Sequence, residues 1–364
     1  RGFGSTLTAF VSASGGASVG QYGPLVHFGA TVATFLENFT SKRLPPGIFI
    51  GCGVAAAISA GFNAPIAGLV FAHEAVLRHF SLRAGGAIAI SSITASTIGS
   101  GIFKETLGLK IISNAPMLIE IVPIVLICSP IFGILSIFFM YGIRLGAKLS
   151  KSSGLSSSYQ IILAAIICGV IGIFIPEILG LGTNEMNNIF AAQYGVLFLL
   201  LILFGKIFMT SLCIGFGFFG GIFAPALYVG AAGGGFIAKL LLTMGFSLSL
   251  PALALAGTAA VGAVAIGAPI ATTLIILEFT GSYEYAVAAM IAVQVSTFIA
   301  HRLYGDSLFD LALNDRGFKI GLGRQHIQMN DIPIKDILSN DALTFDENET
   351  IKIVNSKMSE AEVT

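Results

Sequence analysis

Two kinds of short break, rich in glycine and proline, recur in this strongly apolar chain and constrain the fold more than any other feature. The first half carries breaks at Pro24 and Pro65, and the second half carries matching breaks at Pro225 and Pro269. The paired prolines lie 201 and 204 residues apart. Matched broken segments in two halves predict a repeat-built membrane transport protein whose site lies where the half-helices meet.

The composition favours the same class of protein. The chain is 55% hydrophobic and 10% charged, with a mean hydropathy of +0.89. Four charge-free runs reach or exceed the roughly 20 residues that a spanning helix needs: 121–143, 152–176, 207–238 and 240–277. The sequence therefore predicts an all-α polytopic membrane protein of ten or more segments, some of them half-helices. A soluble core does not sustain such runs, and a net charge of zero gives no electrostatic case for nucleic acid.

The breaks have a chemical consequence. Glycines before a proline let the chain turn and then start a helix, because proline is favoured in the first helical turn. Such a helix points free N–H groups and its positive dipole end into the cavity ahead of it. The segments 20–24 and 220–225 both have this pattern, and two such ends without a fixed acid between them predict an anion site. The alternative is that the glycines only allow close helix crossings, which suits the stretch 230–235.

Other sites are disfavoured by the sequence. The chain has no GxxxxGK[ST] motif for a P-loop, and its clustered glycines lie in apolar runs and not in a βαβ unit. No nucleophile and base are arranged for catalysis, so the chain is not expected to be an enzyme. The cysteines show no metal-ligand spacing and are predicted to pack as small hydrophobes: Cys52, Cys128, Cys168 and Cys213.

Four motifs, in this order and spacing, resemble the CLC family of chloride channels and chloride/proton antiporters: GQYGP (20–24), FNAPIAGLVFAHE (62–74), GGIFAP (220–225) and GAPIATTLIILE (267–278). The stretch 306–317 resembles the segment that follows the last membrane helix of the family. The resemblance covers about residues 1–320. It implies an inverted repeat with broken half-helices, a homodimer with one chloride pore per subunit and no cofactor. It also implies a multi-pass location in the membrane, the inner membrane if the source is bacterial.

The resemblance also implies an anion-binding set: Gly20, Gln21, Tyr22, Gly23, Gly221, Ile222, Phe223 and Phe309. The amides of Ile222 and Phe223 are expected to contact the anion. Phe309 aligns with a tyrosine that usually supplies a phenol, and Lys206 falls where a basic residue often precedes the GxFxP motif.

The chain departs from the family where protons are carried. Gln21 and Tyr22 occupy the basic and acidic positions of the motif Gly-Lys/Arg-Glu-Gly-Pro, whose glutamate acts as gate and proton carrier. Ala75 stands where antiporters often have a second, inner acid, directly after Glu74. A phenol titrates near about pH 10 and stays neutral at pH 7. We therefore expect passive chloride conduction, with Tyr22 as gate and outer constriction.

Two alternatives remain open at this stage. One is chloride/proton exchange that uses unusual carriers, namely His27, His73 or Glu74 as an inner relay. The other is a non-conducting sensor or scaffold with a regulatory tail. Glu74 and Glu278 each lie nine residues after the second proline of their half. Apart from the relay role considered for Glu74, both glutamates are interpreted as solvated charges at helix ends.

The C-terminal segment differs from the rest of the chain. Residues 315–364 hold 15 of the 38 charged side chains, so the sequence predicts a soluble tail. The resemblance given next implies that this tail, residues 321–364, is short, α/β-like and cytoplasmic. It resembles the opening of a CBS domain, with a helix near 348–359, and adenine nucleotide would need a complete CBS pair. A short folded linker is the alternative. Because the chain starts at Arg1 within an ongoing segment, we expect a piece of a longer protein whose first helices and first anion motif lie upstream.

Overall fold

Helices account for the architecture of this computed structural model, which describes residues 2–39, 45–80, 82–102, 115–317 and 349–360. In chain order the α-helices are α1 (Gly2–Ser14), α2 (Tyr22–Glu37), α3 (Pro46–Phe62), α4 (Pro65–Phe71), α5 (Leu82–Ile102), α6 (Leu118–Ser152), α7 (Ser157–Phe174), α8 (Thr183–Phe190), α9 (Val196–Gly215), α10 (Phe223–Thr243), α11 (Leu250–Ile266), α12 (Pro269–Thr280), α13 (Tyr283–Leu303), α14 (Leu308–Asn314) and α15 (Ile351–Glu360). A π-helical turn, Ala72–Leu77, continues α4, and a 3-10 turn, Pro176–Ile178, follows α7.

The chain divides into two compact units, Arg1–Ala312 and Leu313–Thr364. In the second unit, α15 confirms the helix predicted near 348–359. The predicted domain boundary after residue 320 and most of the CBS-like segment lie outside the described residues.

Ten helices of the described chain are candidates for the membrane part by their length and apolar composition. Six are long and apolar enough to cross a membrane: Ala84–Ile102, Leu118–Ser152, Ser157–Phe174, Val196–Gly215, Phe223–Thr243 and Tyr283–Asn314. Four are shorter: Pro46–Phe62, Pro65–Leu77, Leu250–Ile266 and Pro269–Thr280. The short helices pair up on either side of a proline break, as expected of half-helices, and the prediction of an all-α polytopic membrane protein is confirmed.

The second break of each half has the same backbone geometry. Asn63 ends α3 in the left-handed conformation, with φ +51°, and Gly267 ends α11 in the same region, with φ +81°. One alanine with φ −129° follows in each case, and the next residue, Pro65 or Pro269, starts a new helix. A left-handed residue ends a helix and proline starts one, so the local sequence alone produces this turn.

Close contact between α10 and α11 forms the centre of the core. Both helices are buried over most of their length. A Cβ atom on Gly230 would overlap the carbonyl oxygen of Gly257, and one on Gly234 would overlap that of Leu253. The prediction that the stretch 230–235 allows a close helix crossing is confirmed, and here the glycines have a packing role.

Candidate functional site

The first breaks of the two halves meet at one point. Gly20 N–H donates to the carbonyl of Gly221 at 2.7 Å, and Gly221 N–H donates back to that of Gly20 at 2.6 Å. This antiparallel pair, here called the glycine bridge, joins equivalent residues, since each lies four residues before its proline. Equivalent segments that run in opposite directions are what an inverted repeat requires. The prediction that the half-helices meet at these breaks is confirmed.

Glycine is needed at the bridge because the two backbones touch. A Cβ atom on Gly221 would lie 2.8 Å from the amide nitrogen of Gly23, and one on Gly20 would lie 3.0 Å from the carbonyl oxygen of Gly221. Helices α2 and α10 therefore begin side by side, at Tyr22 and Phe223. The N–H groups of a helix's first turn have no intrahelical acceptor, so both helices direct donors and a positive dipole end toward this region.

Tyr22 belongs to an aromatic cluster in front of the bridge. Its ring stacks on Phe62 with centroids 3.7 Å apart, and it meets the edge of Phe223 at 5.9 Å. Phe62 also contacts Phe223 and Phe279, at 5.4 and 5.6 Å. Only 9% of Tyr22 is exposed. Sequence reasoning missed Phe62, which directly precedes the second break of the first half, and Phe279, which lies near the end of α12.

Two cavities lie against this cluster, and Tyr22 lines both. The smaller has a volume of about 20 Å³ and is lined by Gln21, Tyr22, Phe62, Leu181, Thr183, Met186, Ala224, Leu227 and Phe279. The larger has a volume of about 270 Å³, and its lining includes Tyr22, Gly23, His27, Ile222, Phe223 and Phe309. A volume of about 10–15 Å³ is enough for one water molecule, so the smaller cavity has room for one particle of about that size. Tyr22 thus occupies a constriction between two spaces.

The structure brings the predicted anion-binding residues together. Gly20 and Gly221 form the bridge, Gln21 lines the smaller cavity, and the remaining predicted residues line the larger one. None of the described residues that line these two cavities is an aspartate or a glutamate. Contact of the Ile222 and Phe223 amides with an anion stays a prediction.

The interpretation of Glu74 and Glu278 as solvated helix-end charges is wrong. The Glu74 carboxylate accepts hydrogen bonds from the N–H groups of Ile270 and Ala271, at 3.0 and 2.8 Å. The Glu278 carboxylate accepts from Ile66 and Ala67 N–H, at 2.9 and 2.8 Å. Each acid therefore caps the helix that starts at the second break of the other half.

The caps separate the four helix starts into two classes. The starts of α4 and α12 are each neutralised by a carboxylate of the protein. The starts of α2 and α10 face the two cavities, whose described lining contains no carboxylate. A mobile anion would compete with a fixed acid for the first pair but not for the second, so the predicted anion site at the glycine bridge stays a prediction that this geometry favours.

Replacing Glu74 by alanine is expected to lower stability by about 2 kcal/mol, because it leaves two N–H groups of α12 without their charged acceptor. Glu278→Ala is expected to have a similar effect on α4, since the two caps are equivalent. Thermal unfolding of the purified protein in detergent measures both. The control is Glu120→Ala, an exposed residue in the first turn of α6. Equal melting temperatures for all three variants would contradict a capping role.

The histidines differ in their access to the site. His27 is exposed, lines the larger cavity and has its Nδ1 2.7 Å from the Ser5 hydroxyl. His73 is buried, with its Nδ1 2.9 Å from the Leu69 carbonyl oxygen and its ring stacked on Phe80. Of the two, His27 is the one that lines a cavity at this site.

Lys206, which the resemblance placed before the GxFxP motif, makes structural contacts that sequence reasoning did not predict. It is fully buried on α9, and its Nζ donates to the carbonyls of Ile178, Leu179 and Gly180, at 3.1, 3.4 and 2.8 Å. Gly180 N–H in turn donates to the carbonyl of Gly16 at 3.1 Å, four residues before the bridge. A signal existed, since Lys206 is the one charged residue between Glu185 and Lys239 and intramembrane charges are functional by default.

An ion pair fixes the helix that carries Phe309. Arg78, directly after the π-helical turn, pairs with Asp310 on α14. The Ser307 hydroxyl also donates to Asp310, at 2.7 Å. These contacts hold the start of α14 against the end of the α4 segment and place Phe309 in the lining of the larger cavity.

The sequence of this chain matches a known protein family. The family model described as "Voltage gated chloride channel" matches residues 2–301. The H(+)/Cl(-) exchange transporter ClcA of Vibrio cholerae serotype O1 (strain M66-2) is 28% identical over 333 residues, which is 87% of this chain and 69% of that protein. The voltage-gated ClC-type chloride channel ClcB of Escherichia coli O81 (strain ED1a) is 28% identical over 318 residues, which is 84% of this chain and 73% of that protein.

Solved structures share the fold. A slow cyanobacterial Cl-/H+ antiporter superposes with a TM-score of 0.76 at 22% identity, over 84% of this chain and 74% of the other. A CLC-type fluoride/proton antiporter superposes with a TM-score of 0.68 at 26% identity, over 79% of this chain and 71% of the other.

Proposed function

Because this chain belongs to the voltage gated chloride channel family, we propose that it transports chloride across a membrane, past the glycine bridge. The observation that carries the proposal is the meeting of the α2 and α10 starts between two cavities free of described carboxylates. An anion that leaves water needs donors in place of its hydration shell. The first-turn N–H groups of the two helices, those of Ile222 and Phe223 above all, supply them.

We propose that chloride moves between the larger and the smaller cavity past the Tyr22 ring. Tyr22 lines both spaces and is packed between Phe62 and Phe223, so the ring must shift for an ion to pass. The described residues that form this path all belong to one chain. Each subunit of the proposed homodimer would therefore carry its own path.

For the mode of transport, we place chloride/proton exchange ahead of the passive conduction that the sequence favoured. The Vibrio cholerae relative is described as an exchange transporter, and the solved relative at 26% identity is an antiporter for fluoride and protons. The structure also offers a titratable group beside the path, because His27 lines the larger cavity. The ring nitrogens of an imidazole can accept and release a proton.

His27 is the best placed of the three carriers considered from sequence. His73 is buried against Leu69 and Phe80, and Glu74 is held by two N–H groups of α12. His27 is exposed and has a hydroxyl partner, Ser5, with which a proton can be exchanged. We therefore propose His27 as the proton carrier next to the constriction.

Passive conduction is the second candidate. Tyr22 and Ala75 stand where resemblance to the family places the two acids that carry protons, and a neutral phenol and a methyl group cannot replace them at pH 7. The carboxylate-free lining of both cavities, within the described residues, favours this mode.

One experiment separates these functions. The full-length protein is reconstituted into liposomes with equal chloride on both sides, and a pH gradient is imposed. Exchange predicts net chloride movement driven by the pH gradient, whereas passive conduction predicts none, although a chloride gradient still dissipates. No chloride movement under either gradient would overturn chloride transport and support a non-conducting scaffold.

His27→Gln is expected to abolish chloride movement driven by the pH gradient and to leave dissipation of a chloride gradient intact, because glutamine cannot titrate. The same liposome assay measures both fluxes. His301→Gln is the control, since His301 is exposed on α13 and does not line either cavity. Full retention of coupling in His27→Gln would contradict the assigned carrier.

Phe309→Tyr is expected to tighten chloride binding by about 0.5–1.5 kcal/mol, the net value of one hydrogen bond, because it adds a donor to an otherwise apolar wall. The chloride concentration that gives half-maximal flux measures the change. The control is Phe298→Tyr on α13, whose ring is 73% exposed. An unchanged half-maximal concentration would show that Phe309 does not face the bound ion.

A further inference from the structure

Two of the four cysteines, predicted from sequence to be dispersed hydrophobes, are neighbours in space. Cys168 on α7 and Cys213 on α9 have their Sγ atoms 4.0 Å apart, and both are free thiols. Cys168 is 6% exposed and Cys213 is fully buried. A disulfide has an S–S distance of about 2.05 Å, so the two sulfurs need to approach by about the length of one bond.

Each cysteine is connected to one of the two segments that enter the glycine bridge. The Sγ atom of Cys168 lies 4.0 Å from the carbonyl oxygen of Gly16, four residues before Gly20. The carbonyl of Cys213 accepts a hydrogen bond from Phe218 N–H at 2.9 Å, three residues before Gly221. A covalent bond between the cysteines would therefore link the two chain segments that lead to Gly20 and Gly221.

A third contact joins α9 to the segment before Gly20. The hydroxyls of Ser18 and Thr210 lie 3.1 Å apart, and both residues are buried. Thr210 is on α9, one helical turn before Cys213. The thiol pair thus lies within a cross-connection between α9 and the segment that leads to Tyr22, and its chemical state can be transmitted to the constriction.

We propose that Cys168 and Cys213 are a redox-sensitive dithiol whose oxidation to a disulfide slows chloride transport. The disulfide half of the proposal stands on the geometry alone, and the transport half rests on the proposed function. Oxidation draws α7 toward α9 and fixes the backbone on both sides of the glycine bridge. A fixed backbone hinders the displacement of the Tyr22 ring that passage of the ion requires.

The oxidant class is a hydroperoxide. The thiolate of Cys168, the more exposed residue, attacks the terminal peroxide oxygen, the O–O bond breaks, and a sulfenic acid forms with release of an alcohol or water. The thiol of Cys213 then attacks the sulfenic sulfur, the S–S bond forms, and water leaves with the sulfenic oxygen and the thiol proton. Two thiols lose two electrons, and the peroxide gains them.

The test uses the full-length protein in liposomes treated with dilute hydrogen peroxide. After denaturation, free thiols are alkylated and the unreduced digest is analysed by mass spectrometry. We expect a linked peptide pair that contains Cys168 and Cys213, with Cys52 and Cys128 alkylated. We also expect chloride efflux to fall several-fold and to recover after treatment with dithiothreitol.

Single variants identify the thiols responsible. Cys168→Ala and Cys213→Ala are expected to keep full efflux after peroxide, whereas Cys52→Ala and Cys128→Ala keep the wild-type sensitivity. Alkylation of all four thiols after peroxide, or a loss of efflux that persists in Cys168→Ala, would overturn the proposal. A disulfide without any change in efflux would overturn its transport half. Efflux from the untreated protein tests chloride transport separately, so the two failures are distinguishable.

Discussion

Replacing Tyr22 by alanine is expected to raise chloride efflux about tenfold, which corresponds to a barrier lower by about 1.4 kcal/mol. The ring of Tyr22 is the side chain that lines both cavities, and its stacking on Phe62 at 3.7 Å holds it in the constriction. Alanine removes the ring and opens a connection between the two spaces. Chloride efflux from liposomes under a chloride gradient measures the change.

A second substitution of Tyr22 separates the effect of its ring on chloride efflux from that of its hydroxyl, and a substitution of another tyrosine is the control. Tyr22→Phe keeps the ring and loses the hydroxyl, so an efflux close to that of the wild type is expected if the constriction is steric. Tyr159→Ala is the matched control, because Tyr159 is 67% exposed on α7. An efflux in Tyr22→Ala equal to that of the wild type, in protein that elutes as the wild type does, would show that Tyr22 is a packed aromatic and not a gate.

Replacing Gly221 by valine is expected to lower chloride efflux by about tenfold to a hundredfold. The Cβ atom would lie 2.8 Å from the amide nitrogen of Gly23, so the starts of α2 and α10 must separate. Separation breaks the two hydrogen bonds between Gly20 and Gly221, each with a net value of about 0.5–1.5 kcal/mol. The donors of the two helices then no longer face the same ion, and the same efflux assay measures the loss.

The control for this substitution is a glycine with free space around it. A Cβ atom on Gly169, within α7, would meet no atom within 4 Å. Gly169→Ala is therefore expected to leave efflux unchanged. If Gly221→Val folds and conducts at the wild-type rate, the glycine bridge is not part of the chloride path.

The backbone of the breaks could be predicted from sequence because local rules determine it. Glycine permits the turn before α2 and α10, and proline is favoured in the first turn of each helix, whatever the rest of the chain does. The matched spacing of Pro24 and Pro225 then indicated that the two starts belong together, and the glycine bridge confirms this.

The side-chain contacts could not be derived in the same way, because they depend on how helices distant in sequence pack. Glu74 and Ile270 are 196 residues apart, and Cys168 and Cys213 are 45 apart. The periodicity of a helix or a strand relates only residues close in sequence, so it cannot predict contacts between such pairs. The equal offset of Glu74 and Glu278 from their prolines was a visible signal, but its meaning required the packing of α4 against α12.

The most direct test of chloride binding at the glycine bridge locates the bound anion. Bromide replaces chloride in crystals of the full-length protein, and the anomalous signal of bromide marks its position. A bromide peak is expected beside the amide nitrogens of Ile222 and Phe223, next to the Tyr22 ring and the glycine bridge. A bromide peak elsewhere in the protein, with none at the bridge, in a preparation that transports chloride would contradict chloride binding there.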